Sequence, residues 1–589
     1  MELIYLWSKE YKNLKDIGYN FSPNFDVNFH DDGENKYLSI KKLNHEFHIF
    51  EENEKIKNVT AIIGKNGSGK TNILNLLGVR RDERVRINQQ KDVDYFLIYH
   101  YQNDLFVVEG NDFSYIKPLL RDVEKLGFVS DTYSIIFKYE NLQFYCLSFL
   151  QHNEEIHNSN ILFSYRSDFN REIAAGSSSF ELDSEYTVFF NRCYLTPQYT
   201  GHLAKYKMLI DFNNNVKNKE DLNFNIFKFV NQKNHLIIQL DIQFDSKFKL
   251  DLKKNFNSGL RIIGKENESP FKPKEHYINK LVYSICQSVS SWVFDDPNEI
   301  KNLEHKFNIV EESYTEYCLK IISILLEYKK QKDPYFNDKE VMLCFRKYIK
   351  IIKEFEESYF SEDKILIPTY TQADKNVIEL LHLLNLISKL DGYIQSFVKV
   401  FSISYSSLSS GEEALISLFS ALHHGLTQNI LSQPKHVILL LDEPDNFMHP
   451  EWSRILLNEL IKFLNTIDTE YQSFQIILST HSPFIISDLP AENVIALEKE
   501  EISGDCYIAQ LGKTFANNIH SLLSEEFFIS STLGEYAKNK INEVIELIIS
   551  PKELTKDEEA KIEYFISIIG EPLIKNKLRS IMNQRSNKK

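Results

Sequence analysis

The octet GKNGSGKT at Gly64–Thr71 fits G-x-x-x-x-G-K-[ST], and far downstream the same chain carries LSSGEE (Leu408–Glu413), VILLLDEP (Val437–Pro444) and STHSP (Ser479–Pro483), in that order. In such an octet the glycines let consecutive backbone N–H groups turn inward around phosphate oxygens, and a helix N-terminus adds the positive end of its dipole. Val59–Ile63 is an apolar run suited to a buried strand, and Asn72–Leu77 opens an apolar helical pattern, so the loop falls where a strand hands over to a helix. Any fold that unites these segments must join an early strand–loop–helix unit to a second block beginning near residue 400. Only 19 of the 589 residues are glycine, so an incidental Gly-rich turn is a poor account of the octet.

The residue types give each position a role. Gly64, Asn66, Gly67, Ser68 and Gly69 are expected to form the phosphate cradle, and Lys70 to reach the β and γ phosphates of a nucleoside triphosphate. Thr71 offers a hydroxyl to Mg²⁺, and Asp442, ending the run Val437–Leu441, offers a carboxylate to the same ion. Glu443 is placed to polarise an attacking water. Alone, an acidic pair before Pro444 is equally well explained as a strand-terminating turn; the phosphate loop tips the balance toward chemistry. A phosphate loop covers one side of the γ-phosphate, and the segment Glu412–His424 reads as a helix whose N-terminus is a second anion site. The expectation is a head-to-tail dimer closing over two ATP·Mg²⁺.

The later motifs resemble the ATP-binding cassette class, within it the branch of Rad50, RecF and the structural-maintenance ATPases. By that resemblance Ser409 and Gly411 bind the γ-phosphate held by the opposite subunit, Ser410 and Glu412 completing the motif. His481 then acts as the switch residue that senses the γ-phosphate, and DNFMHP (Asp445–Pro450) as the D-loop at the dimer contact. Gln198, in YLTPQYTG, is taken as the Q-loop ligand of the metal because it follows a strand-like stretch before a turn; Gln90 and Gln102 are the alternatives.

Both ends of the chain, YLWSKEYKNLKDIGYNFSPNF (Tyr5–Phe25) and KTFANNIHSLLSEEFFISSTLGEYAKNKI (Lys513–Ile541), resemble bacterial ATPases of anti-phage defence operons, the Septu and retron-associated PtuA type. That resemblance implies a regulator or sensor ATPase whose nucleotide-dependent dimer, or a higher oligomer, controls a small HNH endonuclease; a reverse transcriptase with retron RNA–DNA is another partner of such proteins. It does not reach residues 201–397. The alternative is a RecF- or Rad50-like DNA-binding repair ATPase without a nuclease. A self-sufficient nuclease with a Toprim domain is disfavoured, because Val494–Glu501 lacks the glutamate-glycine motif and no acidic D-x-D cluster follows. A scaffold that binds ATP without turnover is disfavoured by Glu443, and a transporter head by the long interval from Thr71 to Leu408.

Together these readings give an α/β fold: an ABC-type head of two lobes with mixed β sheets and a P-loop, a helical insertion and a helical C-terminal extension. The expected boundaries are 1–200 for the first lobe, 201–285 for an irregular or β insertion, 286–395 for a helical hairpin, 396–500 for the second lobe and 501–589 for the extension. Ile309–Lys330 and Asp338–Phe360 carry apolar residues at helical spacing, with Asp338 as a candidate cap. A net charge of −15 argues against a surface coated for nucleic acid, although Arg80, Arg81, Arg84 and Arg86 and the tail Lys575–Lys589 are local basic groups. The six cysteines form no C-x-x-C pair, which argues against zinc and against the hook of Rad50. No basic-then-apolar leader and no membrane-length apolar run is present, so a cytoplasmic protein is expected.

Overall fold

The computed structural model describes residues 1–43, 49–50, 55–79, 93–126, 132–150, 160–166, 190–195, 197–216, 235–241, 245–250, 252, 272–309, 311, 313–361, 363–369, 372–387, 398, 400–406, 408–427, 435–467, 469–523 and 533–586. The cluster at residues 80–86 and Gln90 lie outside them.

Two seven-stranded sheets make the head. The first is antiparallel, in the order Leu14–Asn20, Glu2–Tyr11, Tyr95–Gln102, Leu105–Asn111, Thr132–Glu140, Gln143–Phe149, and closes with Leu120–Arg121 pairing in parallel. The second runs Asn191–Leu195, Asn160–Arg166, His436–Asp442, Ser473–Ser479, Ile56–Gly64, Val494–Lys499, Cys506–Ala509, parallel throughout except for the last strand. Segment 1–200 therefore supplies strands to both sheets, and its strands Asn160–Arg166 and Asn191–Leu195 complete the sheet that carries the downstream motifs.

The apolar runs of the parallel strands are continuous because both faces are covered. Phe163, Leu439, Leu441, Ile476, Ala61 and Ile63 face the helices Ser410–Thr427 and Pro450–Thr466, while Leu162, Ile438, Leu440, Ile477 and Ile62 face the helix Lys70–Gly78 and the antiparallel sheet. Alternate residues thus serve two different cores. Residues from Leu203 to Phe401 build a third core around the helices Pro273–Val293, Tyr314–Lys332, Asp338–Glu354 and Lys375–Ile387 and a three-stranded sheet of Lys364–Pro368, His235–Leu240 and Phe401–Tyr405. Helix Pro273–Val293 crosses the boundary expected at 285, because Tyr277, Leu281, Ile285 and Val289 all face this one core. The cap of Asp338–Glu354 is Asn337, whose side chain accepts from Glu340 N–H; Asp338 pairs instead with Lys330. Beyond the head, Glu535–Ile549, Lys556–Ile568 and Pro572–Ser586 pack as a small bundle around Val544, Ile548, Ile562, Ile566 and Leu578. The last of these helices takes up most of what reads as a charged tail: Arg585 donates to the carbonyls of Leu547 and Ser550 and so satisfies the end of the first helix.

The sheets are joined by buried polar groups. Gln475 accepts from Leu3 N–H at 2.7 Å and donates to Leu3 C=O at 2.9 Å, where a register shift between Leu3 and Tyr5 interrupts the strand pairing. Arg192, fully buried, donates to Glu109 Oε1 at 2.6 Å, to Leu77 C=O at 2.8 Å and to Phe190 C=O at 3.3 Å. It ties the edge of the parallel sheet to the antiparallel sheet and to the end of the helix Lys70–Gly78. Removing one partner leaves the other charge buried, so Arg192→Met is expected to lower unfolding free energy by about 3–5 kcal/mol in urea titrations. Arg192→Met/Glu109→Leu should recover much of that loss; a double variant as unstable as the single would contradict this account.

Candidate functional site

The carboxyl ends of the parallel strands come level, and the polar residues collect there. Arg166 stands in register with Asp442, and Asp442 with Ser479, across three adjacent strands, while the next strand, Ile56–Gly64, runs into the phosphate loop. The loop conformation depends on its glycines. Gly64 has φ +150°, and a methyl group there would lie 2.3 Å from Leu497 O; Gly67 has φ +77°. Lys70 is buried and its Nζ donates to Gly64 C=O at 3.0 Å and Lys65 C=O at 3.4 Å, so the ammonium sits over the loop. Burial holds its pKa below the ordinary lysine value, against the opposing charges of Glu443 and Asp442.

Asp442 is held on both oxygens. Its Oδ1 accepts from Ser479 Oγ at 2.6 Å and lies 3.4 Å from Thr71 Oγ1, and its Oδ2 lies 4.0 Å from Arg166 Nε. Ser479 Oγ also accepts from Glu443 N–H at 3.0 Å, so one hydroxyl orients both acidic residues. Glu443 has φ +47°, a strained left-handed backbone for a non-glycine residue, and its Oε1 lies 3.4 Å from His481 Nε2. A cavity of about 270 Å³ opens beside Glu443, lined also by Asn446, Met448, Pro450, His481 and Phe484. Below it, Thr480 Oγ1 donates to Asp445 Oδ1 at 2.9 Å and accepts from Ser482 N–H at 2.9 Å; burial raises the Asp445 pKa, the Thr480 hydrogen bond opposing.

Lys70, Thr71, Asp442, Glu443 and His481 are thus brought together, and the remaining expected residues occupy distinct places. Ser409 caps the helix Ser410–Thr427: its N–H and Oγ both donate to Glu412 Oε2, at 2.6 and 2.7 Å, and its Oγ lies 3.4 Å from Glu412 N–H. Ser409 and Ser410 are exposed. Gly411 is buried against the D-loop backbone, a methyl group there lying 3.4 Å from Phe447 O and 3.5 Å from His449 N. The signature and the D-loop therefore share one surface, on which Phe447 is 67% exposed with φ +66°. Gln198 is the second residue of the helix Pro197–Val216, which follows the edge strand Asn191–Leu195, one strand farther from Asp442 than Arg166; its side chain lies outside the described residues. Gln102 ends an antiparallel strand, exposed.

Three contributors were not assigned from sequence. Arg166 and Ser479 become visible only through strand register. Asn13, in the turn between the first two strands, donates to Gly67 C=O at 3.3 Å and accepts from Asn72 Nδ2 at 2.7 Å, bracing the loop from across the head.

A P-loop strand, a buried lysine over its loop, and a hydroxyl facing a strand-end aspartate define a nucleotide-binding ATPase head. The chain belongs to the AAA ATPase domain family, whose model matches residues 41–486. Among curated proteins it is similar to the Retron Vc95 probable ATPase of Vibrio cholerae, 26% identical over 216 residues, covering 35% of this chain and 37% of that one. It is 28% identical over 159 residues to the Septu protein PtuA of Bacillus mycoides, covering 26% and 21% of the two chains. To the Retron Ec83 probable ATPase of Escherichia coli it is 27% identical over 158 residues, covering 26% and 27%. The matched regions span well under half the length of these relatives. They bear out the resemblance to Septu and retron-associated ATPases. No helix among the described residues is long and apolar enough to cross a membrane.

His481 offers a direct check of the site's electrostatics. Burial, and then the Lys70 ammonium, hold its pKa below 6.5, Asp442 opposing, so the ring is expected to be neutral at pH 7 and to protonate only under more acidic conditions than a free histidine. An NMR pH titration of nucleotide-free protein should give a midpoint below 6.5, and Lys70→Met should move it upward.

Proposed function

We propose that the chain binds and slowly hydrolyses ATP in the cytoplasm, and that ATP-dependent pairing of two heads regulates a partner nuclease of a defence complex. The observation that carries the ATPase reading is the convergence of Lys70, Thr71, Asp442, Glu443 and His481 at the ends of neighbouring parallel strands. The pocket fits Mg·ATP: the loop excludes side chains at Gly64, Lys70 supplies a cation, and Thr71 and Asp442 supply the hydroxyl and carboxylate that suit a hard cation. Bound there, Mg²⁺ would neutralise charge on the β and γ phosphates. Lys70 holds the phosphates from the loop side, with the backbone from Gly64 to Gly69. Glu443 takes a proton from the water that attacks the γ-phosphorus as the bond to ADP breaks, and His481, neutral beside it, donates toward the transferred phosphoryl oxygens.

The dimer reading is supported by one exposed surface that carries Ser409 and Ser410, of the motif expected to meet a partner's nucleotide, and Phe447, of the segment expected at the dimer contact. In that arrangement the Ser409 hydroxyl would leave Glu412 for the γ-phosphate of the opposing head, and Gln198 would be a further ligand for the metal. The nuclease partner, of HNH type, and any retron reverse transcriptase rest on the resemblance to Septu and retron-associated ATPases drawn from the two ends of the chain.

Lys70→Ala should abolish ATP binding in fluorescent-nucleotide titrations. Glu443→Gln should lower kcat by about a hundredfold or more and accumulate an ATP-bound dimer in light scattering; wild-type turnover in this variant would remove Glu443 from the base role. Ser409→Arg should leave binding intact and stop turnover, with activity returning when it is mixed with Lys70→Ala subunits, each supplying the half-site the other lacks. A monomer that turns over at the wild-type rate would overturn the dimer reading. Co-purification with the products of neighbouring genes tests the nuclease assignment.

A further inference from the structure

We propose that Arg166 is a γ-phosphate-binding group of this head, supplied in cis from the strand beside Asp442; the inference rests on the nucleotide-site reading above. In a parallel sheet, ligands sit beyond the carboxyl ends of the strands. Arg166 ends the strand that pairs directly with His436–Asp442, and its Cα is in register with that of Asp442. Its side chain is 16% exposed, so the guanidinium is largely withdrawn from solvent at the carboxyl end of the sheet.

The two oxygens of Asp442 separate the site into two sides. Oδ1 faces Thr71 and Ser479, on the phosphate-loop side, and Oδ2 faces Arg166. Thr71 and Asp442 would hold a metal, which would supply charge neutralisation to the bound phosphates. Lys70 and the loop cover one side of Asp442; on the other, Arg166 is a cation among the described residues. The contact to Asp442 is long, 4.0 Å, against 2.6 Å for the Ser479 hydrogen bond, so the guanidinium is a resting partner that a stronger anion displaces. Charge balance points the same way. Among the described residues Lys70 and Arg166 are cations beside Asp442 and Glu443, and a bound triphosphate brings further negative charge for them to meet. Arginine suits the task because it stays charged and can grip two phosphate oxygens at once. The position is closer to Asp442 by one strand than the helix that carries Gln198.

The test measures binding of fluorescent ATP and ADP to full-length protein in EDTA, so that no metal intervenes, for wild type, Arg166→Gln, Arg166→Lys, Lys70→Ala, Asp442→Asn and Asp442→Asn/Arg166→Gln. Arg166→Gln should weaken ATP about tenfold more than ADP, and Arg166→Lys should restore part of the difference. The double variant carries no unpaired carboxylate and keeps the test valid if Arg166→Gln alone folds poorly. Loss of the ATP preference in the Asp442→Asn background as well supports a direct phosphate contact. Loss confined to the Asp442-containing protein would mean that Arg166 only neutralises that carboxylate, and overturns the proposal; equal weakening of ATP and ADP, or no change, overturns it too. If Lys70→Ala binds ATP like the wild type, the phosphate-loop reading itself has failed; a normal Lys70 result with an inert Arg166 rejects this inference alone.

Discussion

The parallel sheet is buried on both faces, and that constraint governs where chemistry can occur. Along His436–Asp442 and Ser473–Ser479 successive side chains belong alternately to the core under the helices and to the core against the antiparallel sheet, which leaves no face on which a charge is solvated. Burying an unpaired carboxylate mid-strand would cost far more than the few kcal/mol by which a domain is stable. Charged residues are therefore confined to strand ends, and at the carboxyl end they meet: Arg166, Asp442 and the loop after Ile56–Gly64 are neighbours because their strands are. Even there each is held by a partner, so that the acidic pair is oriented by Ser479 before any ligand arrives.

Because the antiparallel sheet covers one face, the ATPase head cannot be divided at a point along the chain. Leu3 is gripped by Gln475, Phe21 C=O accepts from Asn58 Nδ2 and Thr60 Oγ1, and Arg192 spans to Glu109 and Leu77. These contacts join positions from 37 to 472 residues apart, and each satisfies a buried group that would otherwise destabilise the interface. Asn13 extends the same logic to the phosphate loop, whose tip is braced by the first hairpin rather than by its own strand.

The motifs could be read directly from sequence because each combines a local backbone requirement with a chemical one: Gly64 and Gly67 for the loop, Lys70 and Thr71 for phosphate and metal, Asp442 and Glu443 after an apolar run. The elements with clear periodicity were readable for the same reason: the pattern at Ile309–Lys330 falls on the helix Tyr314–Lys332, and Glu412–His424 lies within Ser410–Thr427. Pairing between distant strands leaves no periodic trace, so Arg166 and Ser479 could not be placed beside Asp442, nor could the strands before residue 200 be assigned to the sheet of the downstream motifs. Helix Pro273–Val293 was obscured for a different reason: its start lies in an Asn- and Lys-rich stretch, and its core is assembled from helices and strands both before and after it. Caps depend on a single residue of register, which is why Asn337 rather than Asp338 holds the next helix.

One helix connects the nucleotide head to the helical insertion. Met208 and Leu209 of Pro197–Val216 belong to the core that holds the signature helix, whereas Leu203, Tyr206 and Ile210 belong to the core of the insertion. Lys205 pairs with Glu413 in the first turn of the signature helix at 3.4 Å, one residue beyond the Glu412 that holds Ser409. Burial lowers the Lys205 pKa, Glu413 opposing, so the pair links the elements from a partly dehydrated position on the Lys205 side. Packed cores resist continuous deformation. A shift of the helix Ser410–Thr427 that left Pro197–Val216 in place would disrupt the core the two share, and the other face of Pro197–Val216 packs in the core of the insertion. The connection is mechanical, made of shared packing, and Ser409 at one end and the residues that face the insertion at the other are separated by a few turns of helix.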